Sequence, residues 1–275
     1  MRAVIAGRGK VGRGLARALR KHAIRTRLVR GRTLGPRDVK AVDLVVLAVP
    51  DDAIASCAHR VAPHLAGDTA VVHCSGAKGL GPLDACRARG VPVAVMHPMV
   101  SFADPKRPPP LEGATFFVQG DAAAVRVVRR MAREVGALVT VAAVHGPVYH
   151  AAAVLVANAT AALADTGVRL LCGLGVSRQA ALRSVAGLLH TVAHNVERVG
   201  VPEALTGPVA RGDAVAVKAH RAALQTTDRH AAETYDRIVP TILRTATAAG
   251  LPPSRARAVR RALGPATGDR AGRKR

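Results

Sequence analysis

Aromatic side chains are scarce in this sequence: its 275 residues include no Trp, two Tyr and three Phe. Proteins that read single-stranded nucleic acid stack its bases on such rings, so their scarcity argues against that class. Acidic residues are also few, 18 Asp and Glu against 41 Lys and Arg, which leaves a formal charge of +23. The excess is almost all arginine and is spread from end to end, as the amino-acid bias of a GC-rich genome would spread it, rather than gathered in a stripe. A concentrated basic run occurs at 268–275, "GDRAGRKR", and reads as a solvated, disordered tail. The four cysteines, Cys57, Cys74, Cys86 and Cys172, include no CxxC pair and no histidine at zinc spacing, so neither a disulfide framework nor a structural metal is expected. Long uninterrupted apolar runs are missing too. The first run spans only Ala3 to Ala6 before Arg8, and the stretch from Ala151 is broken by Asn158 and Asp165. No signal peptide and no membrane span are expected, and a cytoplasmic location follows.

What is present is a 49% apolar chain with two patterns. Residues 2–6, 26–30, 43–49, 69–74, 91–96, 114–119 and 137–144 are short β-branched runs, several apolar throughout, as buried parallel strands are. Helical stretches lie between them, notably residues 12–22 and 121–135, and the alternation predicts a doubly wound α/β domain over residues 1–146. Residues 31–42 leave room only for a short or degenerate crossover helix. From Ala151 the strand pattern stops and Ala- and Leu-rich helical spacing takes over, punctuated at 173–177, 199–202, 206–208 and 249–254. An all-α domain is predicted over 147–263, with the basic tail at 264–275.

Gly7-x-Gly9-x-x-Gly12 follows the first strand and opens the first helix. The first glycine permits the tight turn, the second lets the backbone approach a pyrophosphate, and the third lets helix and strand pack closely. Arg8, Lys10 and Val11 in the same turn, with Val49 and Pro50 after the third strand, complete the expected cofactor contacts. NAD enzymes place a carboxylate at the end of the second strand; this chain has Arg30-Gly31-Arg32 there. Guanidinium groups suit a 2′-phosphate, so NADP is preferred to NAD.

"HCSGA" (73–77), "MHPMVSF" (96–102), "YHAAAVLVAN" (149–158) and "TGPVARGD" (206–213) are not obviously required by folding. Together with "VLAVPDDAIA" (47–56), they give the chain a resemblance, from Met1 to about Tyr235, to the Rossmann-like oxidoreductase family whose C-terminal half is catalogued as domain of unknown function 2520. That family is related to the 6-phosphogluconate dehydrogenase, pyrroline-5-carboxylate reductase and ketopantoate reductase group. The resemblance implies a Rossmann domain followed by an all-α domain of the 6-phosphogluconate dehydrogenase type, and a homodimer formed through it. It also implies an NADPH-dependent reductase that moves hydride to a C=O or C=N group of a small metabolite, with a ketopantoate-like 2-keto acid as the best single substrate. A non-catalytic NADP-binding or sensing protein is the alternative. The Arg211-Gly212-Asp213 tripeptide then belongs to the helical domain rather than to an adhesion loop.

Reducing C=O or C=N needs a proton donor and groups that hold the substrate. His150, where the chain leaves the sheet, is the expected donor, with Asn158 positioning substrate or nicotinamide. Eight helical residues separate them by about 80° and about 12 Å, so they can line one cleft without gripping one atom. His97 ends a strand, where open α/β sheets place ligand contacts. Ser75 could bond the reacting group and Arg211 could clamp a substrate carboxylate. Asp213 fits both a helix cap at Ala214 and a substrate role, and His220 shares its helix face.

Overall fold

The computed structural model describes residues 1–22 and 24–264. The chain divides into two compact units, Met1–Ala159 and the residues from Thr160 onward. The tail expected at 264–275 lies, from residue 265, outside the described residues.

The first unit is built on a seven-stranded sheet: β1 (Arg2–Ala6), β2 (Arg25–Val29), β3 (Leu44–Leu47), β4 (Ala70–His73), β5 (Val93–Pro98), β6 (Thr115–Gly120) and β7 (Leu138–Val141), in the order β2-β1-β3-β4-β5-β6-β7. All seven expected runs form strands. The sheet is not wholly parallel, because β6 runs antiparallel to β5 with His97 opposite Phe117. The reason lies in residues 99–114, which contain four prolines and form no helix, so the chain returns beside β5 without a crossover.

Helices cover both faces. On one, α1 (Lys10–Arg20) and α5 (Ala122–Glu134) turn Leu15, Leu19, Val128 and Met131 onto Ile5, Val46, Met96 and Phe116. On the other, α3 (Ile54–Val61) and α4 (Asp84–Arg87) pack Ile54, Cys57 and Cys86 onto Val45, Leu47 and Val71. Each such fully buried aliphatic side chain contributes about 1.5–3 kcal/mol relative to exposure. The crossover between β2 and β3 holds only a one-turn 3-10 segment, Gly31–Thr33, and the four-residue α2 (Pro36–Val39). Since β1 lies between β2 and β3, the connections diverge at the carboxyl ends of β1 and β3. Such a switch point is where open α/β sheets hold ligands.

The next helix, α6 (Pro147–Gly173), begins in the first unit and extends into the second. It bears on the expectation of no membrane span by length and composition alone. Over 27 residues its mean hydropathy reaches 1.4 in the best window, long and apolar enough to cross a membrane by length and composition. Asn158 and Asp165 interrupt the run, but Ala, Val and Leu carry the average past them.

In the second unit, α7 (Arg178–Val199) follows, capped by Ser177, whose hydroxyl accepts from Ala180 N. Then come α8 (Pro208–Arg211), α9 (Ala214–Thr227), α10 (Arg229–Ala248) and α11 (Pro253–Leu263). The core gathers Val209, Val217, Val239, Leu243 and Val259 from α8 to α11. The buried residues of α6 and α7 are Val168 and Ala181 alone, so their apolar faces lie outside it.

Candidate functional site

At the switch point the strand β1 ends in a turn that only glycine fits. Gly7 has φ +125°, and a Cβ there would collide with the Ala48 carbonyl. A Cβ on Gly12 would in turn strike the Gly7 carbonyl, so helix α1 lies directly on the turn. Around Gly9, by contrast, a Cβ would meet nothing within 4 Å, leaving space beside the first amides of α1.

That space opens into a cavity of about 870 Å³. Of the expected cofactor residues, Gly7, Arg8, Gly9, Lys10, Val11, Arg30, Arg32, Val49 and Pro50 line it, and Gly12 supports it from beneath. Arg13, Ser56 and Arg60 line it too, which the sequence did not single out. Six cationic side chains and no carboxylate therefore face this cavity. The volume lies in the range of small-molecule sites, and a phosphate-rich ligand suits the charge.

A second cavity, of about 530 Å³, brings the three expected catalytic residues together. His97 and the loop to Phe102 form one wall, and His150 to Asn158 of α6 form the other. Phe102 reaches past it to pack on Gly14 of α1. The His97 and His150 rings stand 6.4 Å apart, nearly perpendicular. A Cβ on Gly76 would lie 3.1 Å from both His150 Nδ1 and His97 Nε2, so a bare glycine lets the two rings converge on the loop after β4. Gly146 N donates to the Gly76 carbonyl at 3.1 Å, tying that loop to the start of α6.

Two further residues belong to this cluster. The Tyr149 hydroxyl lies 2.7 Å from His97 Nδ1, and His145 Nδ1 lies 3.3 Å from the Gln119 amide oxygen. Among the described residues the buried Nε2 of His145 has no partner. Burial, reinforced by His145 and His150, pushes His97 down from the ordinary 6.5 to about 4, and burial pushes the Tyr149 phenol up to about 12. Both groups are neutral near pH 7. The signal for Tyr149 and His145 was their place in "HGPVYH", the junction between sheet and helix; their partners were not visible.

Ser75 stands apart from both cavities. Its hydroxyl oxygen accepts from Ala77 N at 3.2 Å and Lys78 N at 3.1 Å, shaping the turn that holds Gly76. His73 is fully buried with both ring nitrogens engaged, near the Gly79 carbonyl at 3.0 Å and Ser75 N at 3.2 Å.

In the second unit, Asp213 caps α9, its Oδ1 accepting from Ala216 N at 2.9 Å. Arg211 lines a separate cavity of about 590 Å³ with Thr206 and Arg255. His220 Nδ1 lies 3.2 Å from the Tyr235 hydroxyl, and neither Asp213 nor His220 lines the Arg211 cavity. The arginine, aspartate and histidine of this region thus have three different surroundings.

Comparison with known proteins agrees with this architecture. Residues 15–98 match the model for a Rossmann-like domain and residues 114–242 that for Domain of unknown function (DUF2520). The latter match starts just before β6 and so includes part of the sheet. No curated protein matches the chain. Among solved structures it is similar to a candidate NADP oxidoreductase from Bacteroides fragilis, at 18% identity and TM-score 0.67 over 88% of this chain and 98% of that one. It is also similar to a Thermotoga maritima protein, at 24% identity and TM-score 0.65 over 90% and 99%. A third is the Plasmodium falciparum pyrroline carboxylate reductase solved with NADP bound, at 15% identity and TM-score 0.59 over 91% and 98%. At these identities the likeness speaks for the fold. The chain therefore carries a Rossmann-like domain followed by a C-terminal domain that matches the DUF2520 model.

Proposed function

We propose that this protein is an NADPH-dependent oxidoreductase that reduces a C=O or C=N group of a small metabolite. The observation that carries the reading is the glycine-turned cavity with six cations and no carboxylate. Arg30 and Arg32 hold the 2′-phosphate, while the amides at the start of α1, with Arg8 and Lys10, hold the pyrophosphate. NADPH supplies the hydride when bound; the side chains around the second cavity bind the substrate and deliver the proton.

His150 is the donor in this reading, standing exposed at the cavity wall. His97, neutral near pH 7, serves as a hydrogen-bonding group whose Nδ1 is occupied by Tyr149. Asn158, two turns beyond His150, orients substrate or the nicotinamide amide. Ser75 shapes the loop beside the histidines; in the second unit Arg211, facing its own cavity, is the group suited to clamp a carboxylate, while Asp213 caps α9 and His220 pairs with Tyr235. A ketopantoate-like 2-keto acid remains the first substrate to try. The pyrroline carboxylate reductase named above and a similar Streptomyces aurantiacus imine reductase, at 14% identity and TM-score 0.57, make cyclic imines the second. The convergence of His97, His150 and Asn158 on one cavity favours turnover over a purely sensing role.

The protein works as a homodimer in the cytoplasm in this reading. Leu174, Leu182, Leu188 and Val192 are exposed on or beside α6 and α7, and a second copy would remove them from water. Sedimentation at micromolar concentration tests it: a dimer is expected, and a monomer would contradict it.

Titration with NADPH and NADH tests the cofactor. NADPH is expected to bind at least about tenfold tighter, the value of one charge-assisted phosphate contact; equal binding would contradict the assignment to NADP.

A further inference from the structure

Arg60, on α3, lies beside the turn that carries Arg30 and Arg32. Its Nη1 donates towards three carbonyl oxygens, those of Gly31 at 3.1 Å, Arg32 at 2.7 Å and Leu34 at 3.4 Å. Its Nη2 donates to Cys57 Sγ at 3.8 Å, and the Cys57 thiol in turn donates to the Gly31 carbonyl at 3.5 Å. A half-buried guanidinium is ordinarily matched with a carboxylate or phosphate. Among the described residues, this one is matched with neutral main-chain oxygens.

The turn has few other ties. Its 3-10 hydrogen bonds run from Thr33 N to the Arg30 carbonyl at 3.1 Å and from Leu34 N to the Gly31 carbonyl at 3.3 Å. The Arg32 and Leu34 carbonyls receive nothing from within the turn, and three oxygens brought together without a donor repel one another. Arg30 and Arg32 are both exposed, with long side chains whose useful direction depends on where the backbone points them.

We propose that Arg60 is a positioning residue that sets the preference for NADPH over NADH, by holding the 30–34 turn so that Arg30 and Arg32 meet the 2′-phosphate. The inference rests on the NADP reading of the cavity and adds a residue that acts through its neighbours' backbone. Arg60 also lines the cavity, so direct contact with the phosphate is the rival explanation.

A double-mutant cycle separates the two. Arg60→Met, the Arg30→Ala/Arg32→Ala variant and the combination of all three are titrated with NADPH and NADH, and amide exchange of residues 31–34 is followed in the free proteins. Arg60→Met is expected to weaken NADPH about tenfold and NADH less than about twofold. In the Arg30→Ala/Arg32→Ala background the same change is expected to cost nothing further, because the residues act as one unit. Exchange at 31–34 is expected to accelerate. A full additional loss of NADPH affinity in that background would assign Arg60 to the phosphate itself and overturn the proposal, as would an unchanged NADPH to NADH ratio in Arg60→Met. Should Arg60→Met not fold, Arg60→Lys takes its place: one ammonium on a shorter reach is expected to lose the preference despite keeping the charge, and a preserved preference would overturn the proposal. Wild-type protein that shows no preference would defeat the NADP reading itself, before any variant is compared, and this inference with it.

Discussion

The two cavities of the first unit are built in different ways. The cavity proposed for the nucleotide draws on Gly7 to Arg13, Arg30 to Arg32, Ala48 to Pro50 and α3, all within the first 60 residues and mostly at strand ends. The histidine cavity joins the end of β5 to the start of α6, some fifty residues apart, and depends on a glycine from a third segment. One is a local motif that backbone geometry enforces, and the other is a meeting of side chains that the sheet arranges. Variants of the first should therefore abolish binding, whereas variants of the second should spare binding and damage turnover.

The largest effect is expected from Gly7→Val. With φ +125° and the Ala48 carbonyl in the way, any side chain must displace the turn. NADPH affinity measured by calorimetry should fall by about a hundredfold or more, equivalent to about 3 kcal/mol. Retained affinity would show that the turn does not carry the nucleotide.

Gly76→Ala tests the other cavity. The added methyl would stand 3.1 Å from both His97 Nε2 and His150 Nδ1, so the rings must give by a few tenths of an ångström, which should cost about tenfold in kcat. NADPH affinity should stay within about twofold, since Gly76 does not line the nucleotide cavity. Equal damage to both parameters would erase the distinction between the cavities.

Tyr149→Phe is a milder probe. It removes the hydroxyl 2.7 Å from His97 Nδ1 and keeps the ring packing against Phe117. Loss of one hydrogen bond should lower kcat by about three- to tenfold, with NADPH affinity unchanged. An unaltered kcat would remove Tyr149 from the site.

A further contrast concerns pH. His97 is held at about 4 in the folded protein against an ordinary 6.5, chiefly by burial, so the unfolded chain takes up the proton first. Stability contributed by this group is complete above about pH 6.5 and is lost as the pH falls towards 4. Thermal melts across that window should show a decline that His97→Asn flattens, and parallel declines in both proteins would contradict the burial of His97.

These contrasts also explain what the sequence revealed. All seven strands were visible because fully buried β-branched runs are distinctive, and the Gly7-x-Gly9-x-x-Gly12 turn was visible because its spacing follows from sterics. The direction of β6 was missed, since "ATFFVQ" reads alike either way. The sign was the proline-rich, helix-free connection at 99–114. In the second unit, the break between α9 and α10 at Asp228 was also missed. There Asp228 caps α10 through Ala231 N at 3.0 Å and binds Arg169 at 2.7 Å, a contact 59 residues away in sequence. His150 and His97 could be nominated from their positions near element ends and Asn158 from its spacing to His150, but Tyr149, His145 and Arg60 meet partners that only the folded chain brings near.

The most direct test of the account is to measure NADPH binding and NADPH oxidation on the same preparations of wild-type and His150→Ala protein, offering 2-keto acids and cyclic imines. Turnover by the wild type is expected, with a loss of about a hundredfold or more in His150→Ala and the NADPH dissociation constant unchanged within about twofold. Turnover by His150→Ala at the wild-type rate, or wild-type protein that binds no NADPH, would contradict it.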